Sequence, residues 1–161
     1  IDGIIFPQHN SAPITQTVLQ VSQGAFVNMP LYQITNLSQG FKDLKKNDFW
    51  IVGLENSIDA KSWYKIDYTG KAVIVVGSEG KGLRQKTIKN CDFKATIPMK
   101  GKINSLNVSA AVSAILFERQ RQLNNIYLYY RLQQPASMYI CVSGRLNTAH
   151  VCSTADVCAP S

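Results

Sequence analysis

Long apolar runs are missing from this 161-residue chain. No stretch approaches the roughly 20 consecutive apolar residues that a bilayer-spanning helix needs. The opening residues also lack the charged start and cleavage signature of a secretory leader. Cysteine is scarce where a disulfide framework would need it, because Cys91 stands alone in the first 140 residues while Cys141, Cys152 and Cys158 crowd the end. A single thiol in the body suits a reducing, cytoplasmic setting. Acidic residues are few, with 10 Asp and Glu against 17 Lys and Arg, a formal charge of +7. That excess favours a polyanionic partner such as RNA. Neither of the two histidines, His9 and His150, sits in a context that a nucleophilic hydrolase would use. The body holds no carboxylate pair and no cluster of metal ligands. His150, Cys152 and Cys158 can be drawn as zinc ligands, but their spacing matches no closed site, so no metal is expected. An initiating Met is absent as well. The chain opens at Ile1 inside what reads as a strand, and the expectation is a fragment whose true N-terminus lies upstream.

What is present suffices for one domain with a real core. Short apolar runs at residues 3–6, 31–34, 49–53, 72–76 and 93–97 read as strands, the last of them closing the series at Pro98. Helical segments are expected in four places between and after them. Ile14, Val18 and Val21 share one face, and Leu37, Phe41 and Leu44 share another behind a cap at Asn36 or Ser38. Residues 83–89 fit a short helix, and residues 106–122 fit the best helix of the chain. Glu118, Arg119, Gln120, Arg121 and Gln122 are expected to lead that helix into solvent. Residues 54–71 read as polar and irregular. Strands alternating with helices predict an α/β fold with a mainly parallel sheet flanked by helices. All 12 lysines precede residue 123, and beyond it no period is sustained. The expected division is therefore 1–122 as the domain and 123–161 as an extension of unknown structure, or as sequence foreign to the parent gene.

Two glycine-bearing loops stand out. Gly77-Ser78-Glu79-Gly80-Lys81-Gly82 follows the strand at 72–76, and residues 97–107 follow the strand at 93–97. Loops at the carboxyl ends of strands are where open α/β sheets place ligands. The first loop is not a P-loop: only two residues separate Gly77 from Gly80, and Gly82 stands where a hydroxyl should follow the lysine. It is not a dinucleotide fingerprint either, since Gln85 occupies the third glycine position. Glu79 amid the glycines would repel phosphate, which favours a neutral or cationic ligand. Ser105 and Asn107 in the second loop have a plain reading as N-caps of the helix that follows.

The conjunction Val76-Gly77-Ser78-Glu79-Gly80-Lys81-Gly82, then Ile97-Pro98-Met99-Lys100-Gly101, then Ser105-Leu106-Asn107-Val108-Ser109-Ala110-Ala111 resembles motifs 2 and 3 of the SpoU/TrmH methyltransferases, members of the SPOUT superfamily. The likeness covers residues 1–122 and is strongest to the RlmB-like branch. It implies an α/β fold with a deep C-terminal trefoil knot, S-adenosylmethionine as cofactor and a homodimer built partly on the last helix. It further implies methyl transfer to a ribose 2′-hydroxyl of RNA, a guanosine of 23S rRNA in that branch. Carried over by position, Gly77, Gly80, Ile97, Met99 and Leu106 would bind the cofactor, between apolar walls that include Val75 and Val76. Glu79, Ser105 and Asn107 would serve the reacting ribose. Arg84, Lys86, Lys89, Lys100 and Lys102 would meet RNA phosphates. The family's first motif, with its Asn and catalytic Arg, has no counterpart here. The rival readings are a tRNA 2′-O-methyltransferase of the same family and an RNA-binding dimer impaired by the missing Arg. A generic nucleotide-binding protein is the bland alternative.

Overall fold

A computed structural model describes residues 1–8, 20, 22, 24, 25, 27–78, 82–99, 106–127 and 137–143, leaving aside the side chains of residues 126 and 127. Seven strands lie in one sheet, and every pairing is parallel. In chain order they are β1 (Gly3–Pro7), β2 (Leu31–Ile34), β3 (Trp50–Leu54), β4 (Lys61–Ser62), β5 (Ala72–Val76), β6 (Phe93–Thr96) and β7 (Met138–Val142). Among the described residues they are accompanied by α1 (Leu37–Lys46), α2 (Gln85–Ile88) and α3 (Val108–Tyr127). Across the sheet the order is β2-β1-β7-β5-β3-β6-β4.

The apolar strands follow from burial on both faces, the usual condition of a parallel sheet. β5 is buried at all five positions. Its Val73 and Val75 join Ile5, Ile51, Phe41 of α1, Leu83 and Cys141 on one face. Its Ala72, Ile74 and Val76 join Val52, Ile66, Tyr68, Met138 and Ile140 on the other, under Val112, Ile115 and Leu116 of α3. Each such Val or Ile side chain contributes roughly 1.5–3 kcal/mol relative to leaving it in water. α1 starts where its cap predicts: Asn36 Oδ1 accepts the N–H groups of Ser38 and Gln39. It buries Phe41 and ends on Lys45 and Lys46, whose charges suit the helix's carboxyl end.

Four expectations change. The strand at residues 93–97 is not the last, because β7 lies deep in the segment that shows no periodic pattern. It occupies the middle of the sheet, pairing β1 from Gly3↔Tyr139 to Ile5↔Cys141 and β5 from Ala72↔Met138 to Val76↔Val142. Asp2 Oδ2 accepts the Met138 N–H at 2.6 Å, and Ser143 donates to the Val76 carbonyl from both its N–H and its hydroxyl at 2.9 Å. A five-residue apolar run carries too few turns of any period to be recognised by spacing, and only tertiary burial decides it. Residues 54–71 are not wholly irregular, since they hold the edge strand β4 and a 3₁₀ turn at Trp63–Lys65. The helix expected at 83–89 shortens to Gln85–Ile88, leaving Leu83 buried ahead of it. Finally, α3 starts after Leu106 and runs on to Tyr127, and Glu118 does not lead into solvent: it is 6% exposed. Its carboxylate accepts from Arg121 Nε and Nη2 and from Gln122 Nε2 at 2.7–2.8 Å. Gln122 in turn accepts the Tyr68 N–H and donates to the Ile66 carbonyl, so the end of α3 is stitched to the 66–68 segment. The helix proposed around Ile14, Val18 and Val21 lies outside the described residues.

Candidate functional site

Because all seven strands run the same way, their carboxyl ends open on one edge of the sheet. Gly77 follows β5, Glu55 follows β3 and Ile97 follows β6, on three strands adjacent in the order β5-β3-β6. The loop after β5 folds back on itself. Ser78 and Gly82 form an isolated antiparallel bridge, with the Gly82 N–H donating to the Ser78 carbonyl at 2.9 Å. A Cβ on Gly77 would stand 2.1 Å from the Gly82 carbonyl carbon, so only glycine allows these two backbones to meet. Gly82 itself has φ +62°, the left-handed region in which glycine is unstrained.

Of the expected cofactor residues, Gly77 is buried in that self-contact, Ile97 and Met99 are half-buried, and Leu106 is exposed. Gly80 lies outside the described residues. Val75 and Val76 do not wall an open pocket: they are 0% and 2% exposed and point into opposite core clusters, so they support the loop from beneath. Of the expected ribose-facing residues, only Asn107 is described. It does what its plain reading demands, since its Oδ1 accepts from the Ser109 N–H at 2.9 Å and the Ser109 hydroxyl at 2.7 Å at the start of α3. Glu79 and Ser105 lie outside the described residues, as do Lys100 and Lys102 among the cations.

Arg84, Lys86 and Lys89 are all exposed on and beside α2, immediately after the glycine loop. Four lysines farther round are already engaged. Lys45 pairs with Asp92 at 2.6 Å, Lys94 with Asp59, and Lys46 with Asp43, while Lys71 donates to the Asn47 carbonyl. Arg84, Lys86 and Lys89 are thus the exposed cations that directly follow the glycine loop.

Neither described thiol is poised for chemistry. Burial, with Asp92 nearby, pushes the Cys91 thiol up to about 11, and burial pushes Cys141 up to about 12. Both stay protonated and behave as small core side chains. Among the described residues no group of three or more His, Cys, Asp or Glu side chains could hold a metal ion, and no helix is long and apolar enough to cross a membrane. The zinc drawing on His150, Cys152 and Cys158 falls on residues outside the description.

One residue at this edge escaped the sequence reading. Glu55 follows β3 directly, and its carboxylate oxygen Oε2 is closed off from solvent without a hydrogen-bond partner among the described residues. The signal was a lone carboxylate ending a wholly apolar strand, which the polar character of residues 54–71 hid.

Comparison with known proteins meets this geometry. Residues 1–117 match the model of the SpoU rRNA methylase family, so β7 lies beyond the matched region. An uncharacterised tRNA/rRNA methyltransferase of Mycoplasma pneumoniae is 45% identical over 119 residues, covering 73% of this chain and 49% of that protein. The 23S rRNA (guanosine-2′-O-)-methyltransferase RlmB of Pseudomonas aeruginosa is 41% identical over 122 residues, covering 76% and 49%. The chain thus spans about half the length of the curated relatives it matches. Among solved structures, the A. aeolicus TrmH/SpoU tRNA modifying enzyme superposes with a TM-score of 0.64 at 25% identity, over 84% of this chain and 83% of that one. The AdoMet-bound rRNA methyltransferase of Sinorhizobium meliloti superposes with a TM-score of 0.67 at 25% identity, over 76% and 46%. With the motif segments following β5 and β6 of a parallel sheet, and residues 1–117 matching the family model, the chain belongs to the SpoU rRNA methylase family.

Proposed function

We propose that this chain is the catalytic part of an S-adenosylmethionine-dependent RNA methyltransferase that modifies a ribose 2′-hydroxyl, on a guanosine of 23S rRNA. The observation that carries the reading is the 41% identity, through both motif loops, to a protein named for that reaction. We further propose that it works as a cytoplasmic homodimer with a knotted C-terminal part, and that residues 1–122 hold the catalytic machinery.

The described edge suits such a cofactor. Glu55 Oε2 offers an unsatisfied acceptor, which fits a ligand rich in N–H and O–H donors and would repel a phosphate-rich one. Half-buried Ile97 and Met99, and exposed Leu106 ahead of α3, offer apolar surface for an aromatic ring. When bound, S-adenosylmethionine supplies an electrophilic methyl group on a sulfonium. The chain's own task is then positioning, because a hydroxyl is a weak nucleophile and the displacement must be in line. In this reading Gly77 and Gly82, locked backbone to backbone, set the path of the loop that holds the cofactor. Ile97, Met99, Leu106 and Gly80 complete its pocket. Asn107, fixed by its two bonds at the start of α3, stands with Ser105 and Glu79 beside the ribose, where a proton must leave the attacking oxygen. Arg84, Lys86 and Lys89, with Lys100 and Lys102, hold the RNA backbone and make binding steeply salt-dependent.

The test is calorimetric titration of the chain with S-adenosylmethionine, beside Gly77→Ala, followed by methyl transfer to 23S rRNA and to tRNA transcripts. Cofactor binding that Gly77→Ala removes, with transfer to rRNA, supports the proposal. Transfer to tRNA alone moves the substrate to the rival branch, and a folded chain with no affinity for the cofactor refutes the reading.

A further inference from the structure

The most exposed claim at the carboxyl edge is made by Glu55. Its backbone is pinned, since its N–H donates to the Ala95 carbonyl of β6 at 3.0 Å, one step beyond the Leu54↔Ala95 register. Its place in the sheet puts it at the end of the strand between β5 and β6, with Gly77, Ser78 and Gly82 following the one and Ile97 to Met99 following the other. Its side chain is turned toward the first loop: a Cβ on Gly82 would lie 3.6 Å from Oε2 and 3.9 Å from Oε1. Yet among the described residues Oε2 has no donor, and it is closed off from water. Leaving a charged oxygen buried and unpaired costs more than an ordinary missing hydrogen bond, which runs to about 1–3 kcal/mol. Such a cost, held on a rigid strand end between two ligand loops, is the signature of an acceptor whose partner arrives with the ligand.

We propose that Glu55 is a ligand-positioning residue whose Oε2 accepts a hydrogen bond from an N–H or O–H donor of the bound S-adenosylmethionine. This rests on the cofactor assignment above and adds to it a carboxylate outside both sequence motifs. The donor is either a nucleoside hydroxyl or amine, or the ammonium of the amino-acid end. A carboxylate also selects against phosphorylated nucleosides at this edge, which would set two like charges against each other.

The proposal gives two effects of opposite sign. Glu55→Gln keeps the shape and removes the charge, so the ligand-free protein melts at an unchanged or higher temperature while affinity for S-adenosylmethionine falls about 10- to 100-fold. Glu55→Ala behaves in the same way. The experiment pairs thermal melts of the ligand-free full chain with calorimetric titration of S-adenosylmethionine and of 5′-methylthioadenosine, which lacks the amino-acid end. Loss of affinity for both compounds places the donor on the nucleoside, and loss for S-adenosylmethionine alone places it on the ammonium; either supports the proposal. Unchanged affinity in Glu55→Gln overturns it while leaving the cofactor assignment standing. A lower melting temperature in the ligand-free variant also overturns it, because it marks a folding role instead. A wild-type chain that binds neither compound overturns the cofactor assignment and this inference together.

Discussion

Met138→Ala tests the most surprising placement in the molecule. Met138 is 0% exposed, opens β7 and packs in the cluster formed by Val52, Ile74, Ile115, Leu116 and their neighbours. Truncating a wholly buried Met to Ala removes its transfer free energy and leaves a cavity that the flanking strands, held by ladders on both sides, cannot collapse to fill. The cost for such sites is about 2–5 kcal/mol, a large share of the 5–15 kcal/mol or so that holds a typical domain together. For a chain of this length each kcal/mol shifts the melting temperature by about 2–4 °C, so the variant should melt roughly 4–20 °C below the parent. Urea unfolding followed by circular dichroism measures this directly, with a lower midpoint and an unchanged slope. Ile58→Ala, at a fully exposed position, serves as the control and should stay within about 0.5 kcal/mol of the parent. A Met138→Ala protein that also stays within about 0.5 kcal/mol would refute the claim that β7 is an integral strand.

Two smaller perturbations probe other joints. Asn36→Ala leaves the Ser38 and Gln39 N–H groups without their acceptor and should cost about 1 kcal/mol in urea unfolding, most of it restored by Asn36→Ser. Glu118 tests pH dependence. The Arg121 guanidinium, helped by Gln122, holds its carboxyl below the ordinary value of 4.5. The folded state therefore favours the ionised form, its stabilisation is complete above that ordinary value, and it is lost as pH falls through the lower folded value. The stability gap between the parent and Glu118→Gln should narrow on acidification from about pH 6 to about pH 3, and a gap independent of pH would sink the argument.

Much of the scaffold was legible because local and tertiary demands agree there. β5 shows its double-sided burial as five consecutive apolar residues, and α1 shows its start in Asn36 and its inward face in Leu37, Phe41 and Leu44. Legibility failed where burial is conferred by partners distant in sequence. Arg121 and Gln122 lie one helical turn from Glu118, but nothing there announces that Gln122 will bond Ile66 and Tyr68 and draw this face inward, so a charged stretch looks like a solvated end. Met138–Val142 has a strand's composition but a setting of Ser, Thr, Ala and Cys that suggests none. At the site, motif spacing singled out Gly77 and Asn107, and the structure gives each a local reason to be what it is: a backbone-to-backbone contact for one and a helix cap for the other. Glu55 was invisible for the opposite reason, since its interest lies in a contact it does not make.

The placement of β7 also sets a timetable for the chain's birth. Among the described strands, β1 and β2 are hydrogen-bonded to the rest of the sheet only through β7, whose first residue bonds to Asp2 across 136 positions of sequence. On the ribosome, β3, β5 and β6 can pair as they emerge, but β1 and β2 must wait until residue 142 has been made. Until then β1 and β5 each carry an open row of amide and carbonyl groups, the kind of edge that invites pairing with a neighbouring chain. A ladder closed over so long a span is slow to form. Of the described strands the last to be synthesised is thus the keystone, and a nascent chain released before it would carry two half-sheets with nothing between them.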